Sequence, residues 1–190
     1  MSTLLDAKEE RLLGSKIRIR EAVIDEEHVW MLDEFSCGNE VIDVFLRKQA
    51  LYSRRETTHI FIDEEENRIA AFASLSCSAL PVMSHDIYND FIPSVELTYF
   101  AVDTRYQKLH MTDDPEDGYF SDSILNLAID IVYDMAEQDC GAVYITLHAT
   151  PDGYRLYQRN AFRDLTEEFI LQRQSIYLEG CRPMYYRLYP

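Results

Sequence analysis

Apolar positions along this chain fall into two kinds of pattern. From Val95 to Asp103 the run Val-Glu-Leu-Thr-Tyr-Phe-Ala-Val-Asp is rich in β-branched and aromatic side chains and predicts a strand. Further on, apolar residues recur at Ile124, Ala128, Ile131 and Met135, and again at Leu125, Ile129, Val132 and Ala136. That spacing predicts a helix with a wide apolar face, opened by Ser121, Asp122 and Ser123. A strand feeding a helix leaves helix N–H groups at the strand's C-terminal end, where an anion such as a phosphate is favoured. The connection between the two is long and acidic.

The same reading places the remaining elements. Residues 1–15 form a polar lead-in, and 16–190 form one domain. Lys16 to Val23 alternates and predicts a first strand, followed by a short helix over Asp25 to Leu32. Gly38 marks a turn, and Asn39 is placed to cap a helix carrying Ile42, Phe45, Leu46 and Ala50, ending near Arg55. Thr57–Ile62 and Arg68–Ser78 predict a hairpin around the polar turn 63–67. Pro81 to Pro93 reads as an irregular surface loop. Gly141 suits a left-handed cap for the long helix. Ala142 to Leu147 is a strong strand, parallel to 95–103 if the helix crosses over. Pro151 is placed to start a helix carrying Tyr154, Leu156, Tyr157 and Arg159, closed by Asn160-Ala161-Phe162. Phe169–Leu178 and Met184–Leu188 predict two last strands. The order of elements is that of an α/β domain.

Composition narrows the function classes. The 190 residues are 47% hydrophobic and 27% charged, which is a globular balance. Asp and Glu number 34 against 18 Lys and Arg, for a net charge of −16. On average such a field repels a phosphate backbone, so a nucleic-acid partner is not expected. The basic residues that do cluster are Arg47, Lys48, Arg54 and Arg55. Cys37, Cys77, Cys140 and Cys181 are widely spaced without a C-x-x-C pair, so no metal is expected, and reduced thiols in a cytoplasm are the reading. No signal peptide and no membrane-spanning run is expected.

Several stretches together resemble the GNAT family of acyltransferases. Phe35 to Arg55, with Cys-Gly-Asn-Glu before Phe45-Leu46, resembles the N-terminal helices of the subgroup that includes bacterial toxins. Tyr99-Phe100-Ala101-Val102-Asp103-Thr104-Arg105-Tyr106-Gln107 resembles the central strand and the start of the pyrophosphate loop. Tyr154 to Phe162 resembles the family's late helix, where a tyrosine stands five residues before a phenylalanine, and Pro183-Met184-Tyr185-Tyr186 resembles its last strand. The resemblance implies a GNAT fold, a mixed central sheet of about six to seven strands flanked by helices, with parallel strands at 95–103 and 142–148 that splay apart. It implies acetyl-CoA as donor, its thioester against main-chain N–H groups of Phe100, Ala101 and Val102, polarised as in an oxyanion site. Gln107, Lys108, Ser121, Asp122 and Ser123 would border the pyrophosphate, with His110 near it. Tyr157 would protonate the departing thiolate, and Glu96 is a candidate base for the acceptor amine. His148, after a strand, is a second candidate base, with a structural histidine as its plainer reading.

The pattern breaks after Gln107. The family expects a short Gln/Arg-x-x-Gly-x-Gly/Ala turn, because glycines let backbone N–H groups converge on a pyrophosphate. This chain has Lys108 to Phe120, with one glycine and four carboxylates at Asp113, Asp114, Glu116 and Asp117. Two outcomes stay open: the acidic turn swings outward and the helix start still serves CoA, or CoA binding is lost. Three functions follow: an N-acetyltransferase acting on a primary amine of a small-molecule or protein acceptor, a silent GNAT-fold binding protein, and, disfavoured by charge, a toxin acetylating charged tRNA. A homodimer is an open option.

Overall fold

The computed structural model describes residues 17–84, 88–110, 118–165 and 180–189. Seven strands form one mixed sheet in the order β1-β2-β3-β4-β5-β7-β6. They are β1 Ile19–Val23, β2 Thr57–Asp63, β3 Arg68–Ser84, β4 Tyr88–Val102, β5 Tyr144–Ala149, β6 Arg163–Asp164 and β7 Arg182–Arg187. The helices are α1 Val29–Leu32, α2 Glu40–Lys48, α3 Phe120–Met135 and α4 Tyr154–Arg159. The mixed sheet with flanking helices agrees with the expected α/β class. Packing divides the chain into two units, residues 1–75 with 99–128, and residues 76–98 with 129–190.

In the first unit β1, β2 and the start of β3 are antiparallel neighbours. One extra residue in β3 shifts the register between Phe61 and Ile62. The inward residues Ile60, Ile62, Ile69 and Phe72 pack with Phe35, Phe45 and Leu46 from the α2 side and with Ala101 of β4. Phe45 lies between two rings, 3.9 Å from Tyr99 and 6.3 Å from Phe72. Its place follows from the helix: Asn39 caps α2 by accepting the Val41 N–H at 3.1 Å, which fixes the face that Phe45 and Leu46 present. The helix ends at Lys48, and a 3-10 turn over Ala50–Tyr52 continues where a single helix to Arg55 was expected.

In the second unit β5 pairs in parallel with β4 on one side and antiparallel with β7 on the other. A π-helical turn, Ala136–Cys140, follows α3 and ends at Gly141, whose φ of 60° is the left-handed cap expected there.

Three expectations need correcting. The loop placed over Pro81 to Pro93 is replaced by strand, because β3 runs to Ser84 and β4 begins at Tyr88. The two prolines misled the reading; Pro93 still serves a ladder through its carbonyl, which accepts the Val143 N–H at 2.8 Å. Pro151 does not open α4: it lies in a turn where the Thr150 carbonyl takes the Tyr154 N–H at 2.9 Å and the helix starts at Tyr154. Finally, β4 starts early enough that Glu96 is a mid-strand residue. The lead-in 1–15, the acidic residues 113–117 and the strand expected at 169–178 lie outside the described residues.

Candidate functional site

The parallel pairing of β4 with β5 covers three positions, Ser94 with Tyr144, Val95 with Ile145 and Glu96 with Thr146. β5 continues to Ala149 beside β7, but no pair with β4 follows Glu96 among the described residues. The strands therefore part after Glu96, as the resemblance implied.

Alternation gives this parting two different faces. Directly paired residues share a face, and successive residues alternate. One face carries Val95, Leu97, Ile145, Leu147 and Ala149, all buried. The other carries Ser94, Glu96, Tyr144, Thr146 and His148. On this polar face the Glu96 carboxylate stands 3.7 Å from His148 Nδ1, and each side chain keeps 32% of its exposure. Two residues considered separately from sequence thus form one pair at the point of divergence. Their spacing in sequence gives no sign of it; the parallel register does, since His148 is two residues past the partner of Glu96.

Tyr157 belongs to the opposite face. It sits on α4, 8% exposed, with its ring 5.5 Å from Phe162 in an edge arrangement. Phe162 in turn is 5.2 Å from Tyr186, the β7 residue that pairs with Ile145. Burial pushes the Tyr157 phenol above its ordinary range, and the Cys181 thiol beside it adds to that. The hydroxyl is therefore protonated throughout the neutral range and can donate a proton or a hydrogen bond. Gly153 leaves room for the ring: a Cβ there would stand 3.4 Å from it and 3.1 Å from the Thr150 hydroxyl.

The remaining candidates lie in the first unit, around the end of β4. Ala101 and Val102 are buried and Phe100 is half-buried. Beyond them the chain is tied down residue by residue. The Asp103 N–H donates to Ala70 at 2.8 Å, and its carboxylate receives the Arg105 guanidinium at 2.7 and 2.8 Å and the Ser36 N–H at 3.0 Å. Burial pushes the Asp103 carboxyl up, but these hydrogen bonds outweigh it and hold the group below the usual carboxylate range. Gln107 donates to the carbonyls of Cys37 at 2.8 Å and Val102 at 2.9 Å, so its amide braces the turn. Lys108 is exposed. The His110 imidazole meets the Gly118 carbonyl at 3.2 Å and lies 4.6 Å from the Tyr119 ring.

The start of α3 is also occupied from within. The Phe120 N–H donates to Leu109 at 2.8 Å, and those of Asp122 and Ser123 donate to the Tyr119 carbonyl at 3.0 and 3.4 Å. The Asp122 carboxylate accepts the Tyr119 N–H at 3.3 Å, placing a negative charge over the helix end. His110 and Tyr119 form an antiparallel bridge. The helix opens at Phe120, whose fully buried ring packs 5.3 Å from Tyr106. Sequence missed this closure because it depends on a bridge between residues nine apart, His110 and Tyr119.

These donors decide how well a CoA thioester fits. A buried, protonated phenol on one face of the sheet and a carboxylate and imidazole on the other are groups of the kinds that acyl transfer uses. The start of α3 does not suit a pyrophosphate: three of its N–H groups are committed, and a carboxylate occupies the place of the anion. Among the described residues no group of His, Cys, Asp or Glu could hold a metal ion, and no helix is long and apolar enough to cross a membrane.

No family model matches the chain, and no curated protein matches it by sequence. Solved structures do match. A bacterial toxin superposes with a TM-score of 0.69 at 18% identity, covering 90% of this chain and 92% of its own. The toxin AtaT, a tyrosine-to-phenylalanine mutant bound to the C-terminus of the antitoxin AtaR and acetyl-CoA, gives 0.65 at 16%, covering 90% and 93%. AtaT complexed with acetyl-methionyl-tRNAfMet gives 0.66 at 15%, covering 90% and 95%. At these identities the likeness is one of fold, and it is the GNAT fold expected from the sequence. One neighbour was solved on an acetylated tRNA, so the expectation that nucleic acid is not a partner is not supported.

Proposed function

We propose that this chain is a GNAT-type N-acetyltransferase that takes the acetyl group of acetyl-CoA to a primary amine, and that the amine is carried on an aminoacylated tRNA. The observation that carries the first part is the opposition of faces where β4 and β5 part: Tyr157 on one, Glu96 with His148 on the other. Acyl transfer between two large molecules needs a leaving-group acid and a nucleophile's base that do not neutralise each other. A gap in a sheet separates them while leaving one opening through which a bond can form.

When bound, acetyl-CoA supplies an activated acyl carbonyl and a thiolate leaving group. Main-chain N–H groups of Phe100, Ala101 and Val102 would polarise that carbonyl, a contribution of about 3–4 kcal/mol for one donor in comparable sites. Glu96 and His148 accept the proton that the amine must lose, His148 through the ring and Glu96 by holding that ring's charge. Tyr157 keeps its proton until the sulfur departs and then donates to it. Lys108 is the exposed cation that would face the phosphates, while Gln107 and the start of α3 brace the turn. The tRNA acceptor is favoured over a small-molecule or protein amine because structures of this fold include a toxin on acetyl-methionyl-tRNAfMet.

A second reading rests on the occupied start of α3: a GNAT scaffold that no longer binds CoA. Calorimetric titration with acetyl-CoA separates the two. Saturable binding, together with acetylation of an aminoacylated tRNA, is the expected result. No heat at high micromolar ligand would leave only the silent scaffold.

A further inference from the structure

The basic residues from the end of α2 to the start of β2 are not used by the reaction described above. Arg47 is engaged, 3.8 Å from Asp43 and 3.9 Å from Glu40. Lys48, Arg54 and Arg55 are exposed and make no ion pair among the described residues. Three unpaired cations within eight positions stand out in a chain whose acids outnumber its bases 34 to 18. Between them Tyr52 projects with 77% of its surface exposed.

The backbone beneath these side chains is fixed. Ala50 is 3% exposed, and Leu51 packs against the core of the first unit. Tyr52 N–H donates to Gln49 at 3.0 Å and Ser53 N–H to Ala50 at 3.4 Å. The Ser53 hydroxyl then accepts the N–H groups of Arg55 at 3.3 Å and Glu56 at 3.4 Å and bonds to the Glu56 carboxylate. That bond takes up Glu56, the carboxylate next in sequence to the two arginines. A hydrogen-bonded turn thus carries two guanidiniums, an ammonium and an aromatic ring, all exposed, within eight positions.

We propose that Lys48, Tyr52, Arg54 and Arg55 form a contact surface for RNA, the cations meeting backbone phosphates and Tyr52 stacking on an unpaired base. The inference deepens the proposed function, resting on it for the identity of the RNA as the carrier of the acceptor amine. Phosphate neutralisation supplies salt-dependent affinity, and an exposed ring beside cations is the usual platform for single-stranded bases. An acidic protein would also be drawn to the cations, but it gives Tyr52 nothing to stack on.

The test is the binding of fluorescently labelled, deacylated tRNA, followed by anisotropy across salt concentrations with no CoA present. Against wild type, the triple variant Lys48→Ala, Arg54→Ala, Arg55→Ala should lose about tenfold or more in affinity at about 50 mM salt. Its log–log salt slope should be shallower by about two to three. Tyr52→Ala should lose about fivefold with the slope unchanged. The double variant Arg18→Ala, Arg20→Ala removes cations elsewhere and should bind as wild type; Arg54→Lys, Arg55→Lys should retain the slope. Absence of tRNA binding by wild type, an equal loss in the Arg18, Arg20 variant, or displacement of tRNA by polyglutamate at equal charge would each overturn the proposal. Acetylation of a small primary amine, measured beside it, should be unaffected by the triple variant. If wild type fails to acetylate an aminoacylated tRNA while tRNA binding follows the pattern above, the acetyltransferase reading fails and the RNA surface stands.

Discussion

The parting of β4 and β5 and the turn from β4 into α3 are the two places where a GNAT fold would touch its donor, and they are built on opposite principles. At the parting, the ladder stops after three pairs and polar groups are left with reach: Glu96 and His148 are a third exposed and 3.7 Å apart. At the turn, nearly every polar group is spent on its neighbours. Asp103 takes Arg105 and Ser36, Gln107 takes two carbonyls, and three N–H groups at the start of α3 are bonded within the chain. The difference teaches that one strand can leave polar side chains with reach at one point and spend them on local bracing a few residues later. Substitutions should therefore separate: chemistry lost without stability at the parting, stability lost without chemistry at the turn.

The largest effect expected is on turnover. Tyr157→Phe keeps the ring against Phe162 and removes only the hydroxyl, so kcat should fall by about 10²-fold or more while Tm stays within about 2 °C. An unchanged kcat would remove Tyr157 from the mechanism. Because its phenol is pushed up, no alkaline loss of activity below pH 10 should be attributable to it, and the pH–rate profile checks this. His148→Gln should cost about 10²-fold in kcat/KM, with Glu96→Gln costing less. An equal kcat/KM for wild type and variant would return His148 to a structural role.

At the turn the expected losses are in folding. Asp103→Asn leaves Arg105 and the Ser36 N–H facing a weaker acceptor and should cost about 2–3 kcal/mol in denaturant unfolding at pH 7. The pH dependence has a definite sign. A carboxyl held below its unfolded value stabilises the fold above about pH 4 and loses that contribution as the pH falls through its folded value. The gap between wild type and Asp103→Asn should therefore close toward pH 2. Asp43 is held down in the same way: burial raises it, and the Cys37 and Ser36 hydrogen bonds with Arg47 outweigh that. The Cys37 thiol beside it is pushed up to about 12 by burial and by Asp43, so it should resist alkylation in the folded protein. The smallest effect is the sharpest test of the contrast. Asp122→Ser withdraws the carboxylate from the start of α3 and should tighten CoA binding by about twofold to fivefold, at a cost of about 0.5–1 kcal/mol in stability. Weaker binding would mean that the carboxylate is no obstacle there.

Much of the fold could be read from periodicity, because most elements obey a local rule. Asn39 before an amphipathic run, Gly141 after one and the alternating 57–78 hairpin each carry their own signal. The reading failed where a local signal was outvoted by pairing. Pro81 and Pro93 look like loop residues yet lie within β3 and β4, and Pro151 looks like a helix start until Thr150 caps the turn ahead of it. The candidate site was legible by residue but not by relation. Tyr157, Glu96 and His148 were identifiable one at a time, whereas the union of two of them and their separation from the third come from a parallel register with no sequence mark. The closed start of α3 was least visible, since it is made of backbone bonds whose donors any residue could supply.

The two-faced opening also sets terms for inhibitor design. On the proposed assignment of donor and acceptor faces, a compound joining a CoA-like portion to an acceptor-like portion could not lie along one surface of the protein. Its linker would have to thread the sheet beyond Glu96 and Thr146, where Leu97 and Leu147 are the next residues on the two strands. Slim, unbranched tethers should be admitted there and bulky ones refused, so potency would depend more on the girth of the join than on either end.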